Sequence, residues 1–184
     1  MWYFKYSLST TLFIILFSCN STDNITTYKI KKPATLQLKW IAPKIWEEQN
    51  PGNMLLANFY AFDSKNESIN ISISMFPGDV GGLRNNIDRW RNQIGLKQFD
   101  PQNSINLNQK ISPEEDIQNI TLPLLGNAQM VHLNNNENNK SIKVIVIPNQ
   151  NGQTIFVKMN GNINGVLELE NDFSLFYQSI YWGN

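Results

Sequence analysis

The sequence predicts an α+β fold, a mostly antiparallel sheet flanked by helices in a single domain. Three observations predict it. Short apolar segments with period-two alternation recur along the chain. Two amphipathic segments with helical spacing interrupt and close that series. An Asn-Gly pair, Asn151-Gly152, joins two of the strand segments as a hairpin turn. The chain has 184 residues, 41% hydrophobic and 11% aromatic, which suits one domain with a real core.

The elements follow in order. Residues 35–42, TLQLKWIA, set Leu36, Leu38 and Trp40 against Gln37 and Lys39. Residues 54–62, MLLANFYAF, are continuously apolar, which predicts a strand buried on both faces. Residues 68–76 alternate Ile69, Ile71, Ile73 and Met75 with Asn70, Ser72 and Ser74, so one face packs and the other is polar. Leu83, Ile87, Trp90 and Ile94 fall within about 60° on a helical wheel, a narrow core-facing stripe. Gly95 is placed to end that helix. Residues 97–112 read as a polar connection. Residues 112–117, SPEEDI, carry the marks of a short helical turn, with Ser112 as cap, Pro113 first and Glu115 three places on. Strands are predicted at 127–133, 141–148 and 153–159, the last two joined by the 149–152 turn. Gly161–Gly165 breaks the chain. Residues 166–182 read as one final helix, with Leu169, Phe173, Phe176 and Ile180 on a single face.

The first residues differ in kind. Lys5 precedes the apolar run Leu12–Phe17, then Ser18 and Cys19, the three parts of a secretory signal. The stretch is too short and too polar at Ser7–Thr11 for a membrane span. Leu16-Phe17-Ser18-Cys19 resembles the lipobox of bacterial lipoproteins, in which the cysteine is lipidated and becomes the mature N-terminus. Cys19 is the only cysteine in the chain. The resemblance divides the chain into a lipoprotein signal peptide at 1–18, a lipidated N-terminus and tether at 19–33, and one α+β domain at 34–184. It also implies a membrane partner through the N-terminal lipid and an outer-membrane position facing the periplasm, since Asn20 is not the aspartate that favours inner-membrane retention.

A second resemblance spans most of the domain. WIAPKIWEEQNPGNMLLANFYA (40–61), FPGDVGGLRNNIDRWRNQIGL (76–96), TIFVKMNG (154–161) and FSLFYQSIYW (173–182) are similar to a family of uncharacterised bacterial exported lipoproteins. The family brings no activity with it. Its order of strands and helices resembles the PsbP-like α-β-α sandwich, used mostly by non-catalytic accessory and binding proteins.

Charge is balanced, 15 Lys and Arg against 15 Asp and Glu, which argues against a nucleic-acid partner. The block at 76–96 raises the main functional question. Gly78, Gly81 and Gly82 precede a helix carrying Arg84 and Arg91, seven apart and so on one flank. Asp79, Gly81, Gly82, Arg84 and Arg91 are therefore the candidate ligand-binding set, an anion at a helix start being the chemistry in view. The loop lacks phosphate-loop spacing, and Asp79 competes for the same N–H groups by capping the helix or its turn. Asp88 can pair with either arginine.

His132 is the only histidine, and no nucleophile elbow accompanies it, so it reads as a half-buried structural residue. Glu114, Glu115 and Asp116 fit the dipole of the short helix, and Glu47-Glu48 fall in a polar segment. Of the tryptophans, Trp40 and Trp90 lie on core patterns and Trp46 is the one expected at the surface. No catalytic set, cofactor or metal site is predicted. The reading is a lipid-anchored envelope protein with an accessory or binding domain, with an envelope protein as its candidate partner. The alternatives are a small-ligand or anion-binding module built on residues 78–91, and a carboxylate-based hydrolase whose acid pair sequence cannot reveal.

Overall fold

The computed structural model describes residues 36–98 and 115–184. The leader, Cys19 and the tether lie outside the described residues, as do Ser112, Pro113, Glu114 and most of the 97–112 connection.

Seven antiparallel strands form the main sheet: β2 (Glu47–Gln49), β3 (Ala57–Phe62), β4 (Ser68–Pro77), β5 (Glu115–Leu122), β6 (Gly126–Asn135), β7 (Lys140–Gln150) and β8 (Gln153–Gly161). Their order across the sheet is β2-β3-β4-β8-β7-β6-β5. A separate two-stranded ribbon pairs β1 (Gln37–Lys39) with β9 (Tyr181–Gly183). Helix α1 (Gly82–Gln93) joins one half of the sheet to the other, and α2 (Ile163–Glu168) and α3 (Glu170–Gln178) follow β8.

The strand alternation sorts side chains into two cores. On one face Ile69, Ile71 and Ile73 of β4 and Ile155, Val157 and Met159 of β8 pack with Val166, Leu169, Phe173 and Phe176 of α2 and α3. On the other, Ile87, Trp90 and Ile94 of the α1 stripe pack on Val131, Leu133, Val144, Val146 and Phe156. The predicted α+β class holds, as helix, sheet and helix in three layers. Helix α1 ends in a Schellman turn: Gly95 adopts φ 83°, its N–H bonds Asn92 O, and Leu96 N–H bonds Arg91 O. Asn151 and Gly152 both take positive φ, 54° and 76°, as a two-residue I′ hairpin requires.

Four expectations are corrected. Strand β3 is not buried on both faces: Ala57, Phe59 and Ala61 are buried, but Tyr60 and Phe62 are exposed, because α1 packs over β6, β7 and β8 and leaves that face of β3 open. The polar segment of Glu47 and Glu48 forms the edge strand β2, paired to Tyr60 and Phe59. Trp46 is buried, at 7% exposure, edge-on to Phe176 with ring centroids 5.0 Å apart. Residues 115–117 begin β5 instead of a helical turn, since their backbone pairs in register with β6 (Glu115 to Leu133, Ile117 to Val131). The closing segment is two short helices and a strand. Asn162 caps α2 by accepting the Gly165 N–H at 2.7 Å, the path turns at Leu169, and Tyr181–Gly183 pairs with β1.

Candidate functional site

The glycine loop before α1 is closed on itself. The Asp79 carboxylate accepts the Gly81 N–H at 3.1 Å, and the Asp79 carbonyl accepts the Gly82 N–H at 3.2 Å. The Gly78 N–H goes to Gly152 O, and Thr154 Oγ1 donates to Gly78 O at 2.6 Å, so the loop is strapped to the β7–β8 turn. Asp79 thus caps the turn, while the helix itself begins at Gly81 without a side-chain cap. Three N–H groups that an anion would need are spent on the protein. The loop turns sharply enough that Val80 adopts φ 54°, rare for a β-branched residue. Asn86 Nδ2 and Arg89 both donate to its carbonyl, at 3.3 Å and 3.2 Å, and hold it there.

Arg91 turns to the helix end and donates through Nε to Lys97 O at 2.6 Å. Arg84 is half-buried on α1. Neither borders the cavity that α1 leaves over the sheet. That cavity, of about 350 Å³, lies between α1 and strands β4, β7 and β8. Met54, Leu55, Phe76, Val80, Trp90, Val144 and Phe156 form its apolar walls. Ser72, Ser74, Asn86 and Gln93 supply polar groups, and Arg89 and Lys158 supply two cations. Ser72 and Lys158 are directly opposite in the β4–β8 register, which places the strand's polar face under the helix. Arg89 Nη2 also bonds Asn86 Oδ1. Lys158 Nζ reaches Gln93 Oε1 at 3.5 Å, and burial pushes its ammonium below the ordinary lysine pKa. No Asp or Glu is among the lining residues.

Sequence reasoning placed the arginine pair one flank away from this cavity. The usable signal was Asn86, Arg89 and Gln93, spaced three and four apart on the helix, facing the polar side of β4. Of the residues around the glycine loop, the structure brings Val80 to the cavity and keeps Asp79, Gly81 and Gly82 off its lining.

His132 lies on the opposite face of the sheet. Its Nε2 is 3.1 Å from Ser141 Oγ, and burial, then the neighbouring Lys143 charge, hold its pKa below the ordinary value. Ser141 is buried, at 1% exposure, so the contact is a packing link and not an open nucleophile. Buried Lys143 pairs with Glu170 at the start of α3, tying that helix to β7. Among the described residues no group of three His, Cys, Asp or Glu side chains is arranged to hold a metal ion.

No family model matches the chain, and no curated protein matches it. Among solved structures it is similar to LpqN of Mycobacterium tuberculosis, described as involved in cell envelope biogenesis. The overlay has 12% sequence identity and a TM-score of 0.46, over 84% of this chain and 87% of that one.

Proposed function

We propose that this chain is a lipid-anchored binding protein of the bacterial envelope, held through Cys19 at the outer membrane's periplasmic side, with a PsbP-like sandwich whose ligand site is the cavity beneath α1. The ligand class is a small amphiphilic anion. One observation carries it: Arg89 and Lys158 both line a largely apolar cavity with no carboxylate on its lining. A partly desolvated ammonium with only a long amide contact is unfavourable, and a carboxylate or phosphate would supply the missing counter-charge. Met54, Leu55, Phe76 and Trp90 would cover an acyl or aromatic tail. The cavity is at the small end of known ligand sites, which are roughly 300–1,000 Å³.

The site is tested by displacement of the fluorescent probe anilinonaphthalene sulfonate. Oleate and dodecyl phosphate should displace it, and monoolein should not. Lys158→Met should weaken oleate about tenfold or more, the equivalent of one charge-assisted hydrogen bond. Equal displacement by the neutral lipid, or an unaltered Lys158→Met variant, would sink the anion reading. The anchor is tested separately by intact mass. The mature protein should begin at Cys19 carrying acyl groups, and a mature chain with an unmodified Cys19 or a start elsewhere removes the anchor.

A further inference from the structure

The two ends of the main sheet differ in chemistry. Residues 50–56, 123–125 and 148–152 lie at one end, where β4 and β7 finish and β3 and β8 begin. Those three segments contain no charged residue, and the β4–α1 loop strapped to them through the Gly78 N–H carries one, Asp79. The opposite end carries Asp63, Lys65, Glu67, Glu137, Lys140 and Glu168 in or beside its connections.

Large apolar side chains stand in solvent at this sparsely charged end: Leu36 is 50% exposed, Met54 71%, Leu56 39% and Leu124 62%. Leu36 and Leu56 share a groove with Trp40 and Trp182. The Trp182 indole N–H donates to Gln150 Oε1 at 3.3 Å, and Gln150 Nε2 donates to Leu125 O at 3.1 Å. Those bonds join the C-terminal strand, the β7–β8 turn and the β5–β6 turn into one surface. Leu167 and Leu175 are also exposed, but on the helix layer, with Glu168 and Asp172 close in sequence.

The geometry points to this end of the sheet as a surface that rests in the headgroup interface of an anionic bilayer. Leucine, methionine and tryptophan gain from leaving water there, and uncharged loops lose little on partial desolvation. The direction of the chain selects a bilayer over another occupant. Leu36 lies at this end, and Cys19 precedes it by seventeen positions. Between Asn24 and Trp46 the sequence carries Lys29, Lys31, Lys32, Lys39 and Lys44 and no acid, which complements anionic headgroups. The inference rests on the proposed anchor for which end faces the membrane, but the contact itself needs no acyl chain.

The test therefore uses the Cys19→Ser chain freed of residues 1–18, with vesicles of phosphatidylethanolamine and phosphatidylglycerol. It should bind weakly at millimolar lipid, and brominated phospholipid should quench its tryptophan fluorescence. Leu36→Glu with Leu124→Glu, at two exposed positions outside the cavity lining, should cut the bound fraction about tenfold while circular dichroism stays unchanged. Glu137→Gln at the far end should leave binding as it was. An absence of quenching in the unsubstituted chain overturns the proposal, as does equal binding by the double variant. Self-association without vesicles that the double variant abolishes would assign the surface to a second copy instead. Failure of the anchor reads out independently, as an unacylated Cys19 in the wild-type mass.

Discussion

Removing the Trp90 ring tests the helix layer and the cavity together. Trp90 is 9% exposed, sits edge-on to Phe156 with centroids 6.0 Å apart, and shares its core with Ile87 and Ile94. Trp90→Ala in a closed core costs roughly 3–5 kcal/mol, and the aromatic pair adds about 0.5–1.5 kcal/mol. Here the ring already forms one wall of an open cavity, so the space it vacates joins solvent and does not become a sealed void. The cavity penalty is then largely avoided, which places the expected cost near the lower bound, about 3 kcal/mol. With a urea m-value of about 1–3 kcal/mol/M, the midpoint should fall by about 1 M or more. Trp90→Phe keeps the contact with Phe156 and should lose about half as much. A loss below about 1 kcal/mol for the alanine variant would show that α1 is not seated on the sheet through this ring.

Two further outcomes follow from the opposite face, one of packing and one of titration. Gly165 of α2 lies over Ile69, where an added Cβ would come within 2.4 Å of the buried Ile69 Cδ1. Overpacking of about 1–3 kcal/mol should outweigh the helix gain of about 1 kcal/mol, so Gly165→Ala should destabilise while Ala at exposed Asn164 should not. His132 has a folded pKa below its unfolded value because burial disfavours the imidazolium. As pH falls from about 6.5 toward the folded pKa, the unfolded chain takes up a proton that the folded chain refuses, so stability drops. His132→Gln should flatten the urea midpoint between pH 7 and 5. Asp63 cannot imitate this, because hydrogen bonds from the Asn162 side chain and the Glu67 backbone hold its carboxyl below the ordinary value, and its loss comes at lower pH.

Much of the fold was legible because its signals are local. The Ile69–Ile71–Ile73 alternation, the Leu83–Ile87–Trp90–Ile94 stripe and the Asn151-Gly152 turn each depend on neighbours in sequence, and each appears where local chemistry places it. What was missed needed partners far along the chain. Strand β2 is Glu-Glu-Gln, which has no apolar alternation and exists only because β3 offers an open edge. Strand β5 starts on acidic residues that imitate a helix cap, and pairing with β6 overrides that local preference. Trp46 looked superficial beside Lys44 and Glu47, yet Phe59 and Phe176 from two other elements close over it.

The site was half legible for the same reason. Helical spacing correctly says that Arg84 and Arg91 share a flank, but it cannot say which flank overlooks uncovered sheet. That depends on α1 lying over Val131, Leu133 and Val144, which leaves Ser72, Ser74 and Lys158 uncovered beneath its other flank. The flank facing that gap carries Asn86, Arg89 and Gln93. A basic side chain becomes part of a site when low-dielectric walls and absent carboxylates leave its charge unbalanced, and the strand register decides that for Lys158. The discriminating comparison is therefore Arg91→Ala against Lys158→Met. The first removes a bond to Lys97 O at the helix end and should change stability by about 1 kcal/mol or less with oleate binding intact. The second should spare stability, since it removes a desolvated charge, and lose the ligand. The reverse pattern would return the site to the Arg84–Arg91 flank.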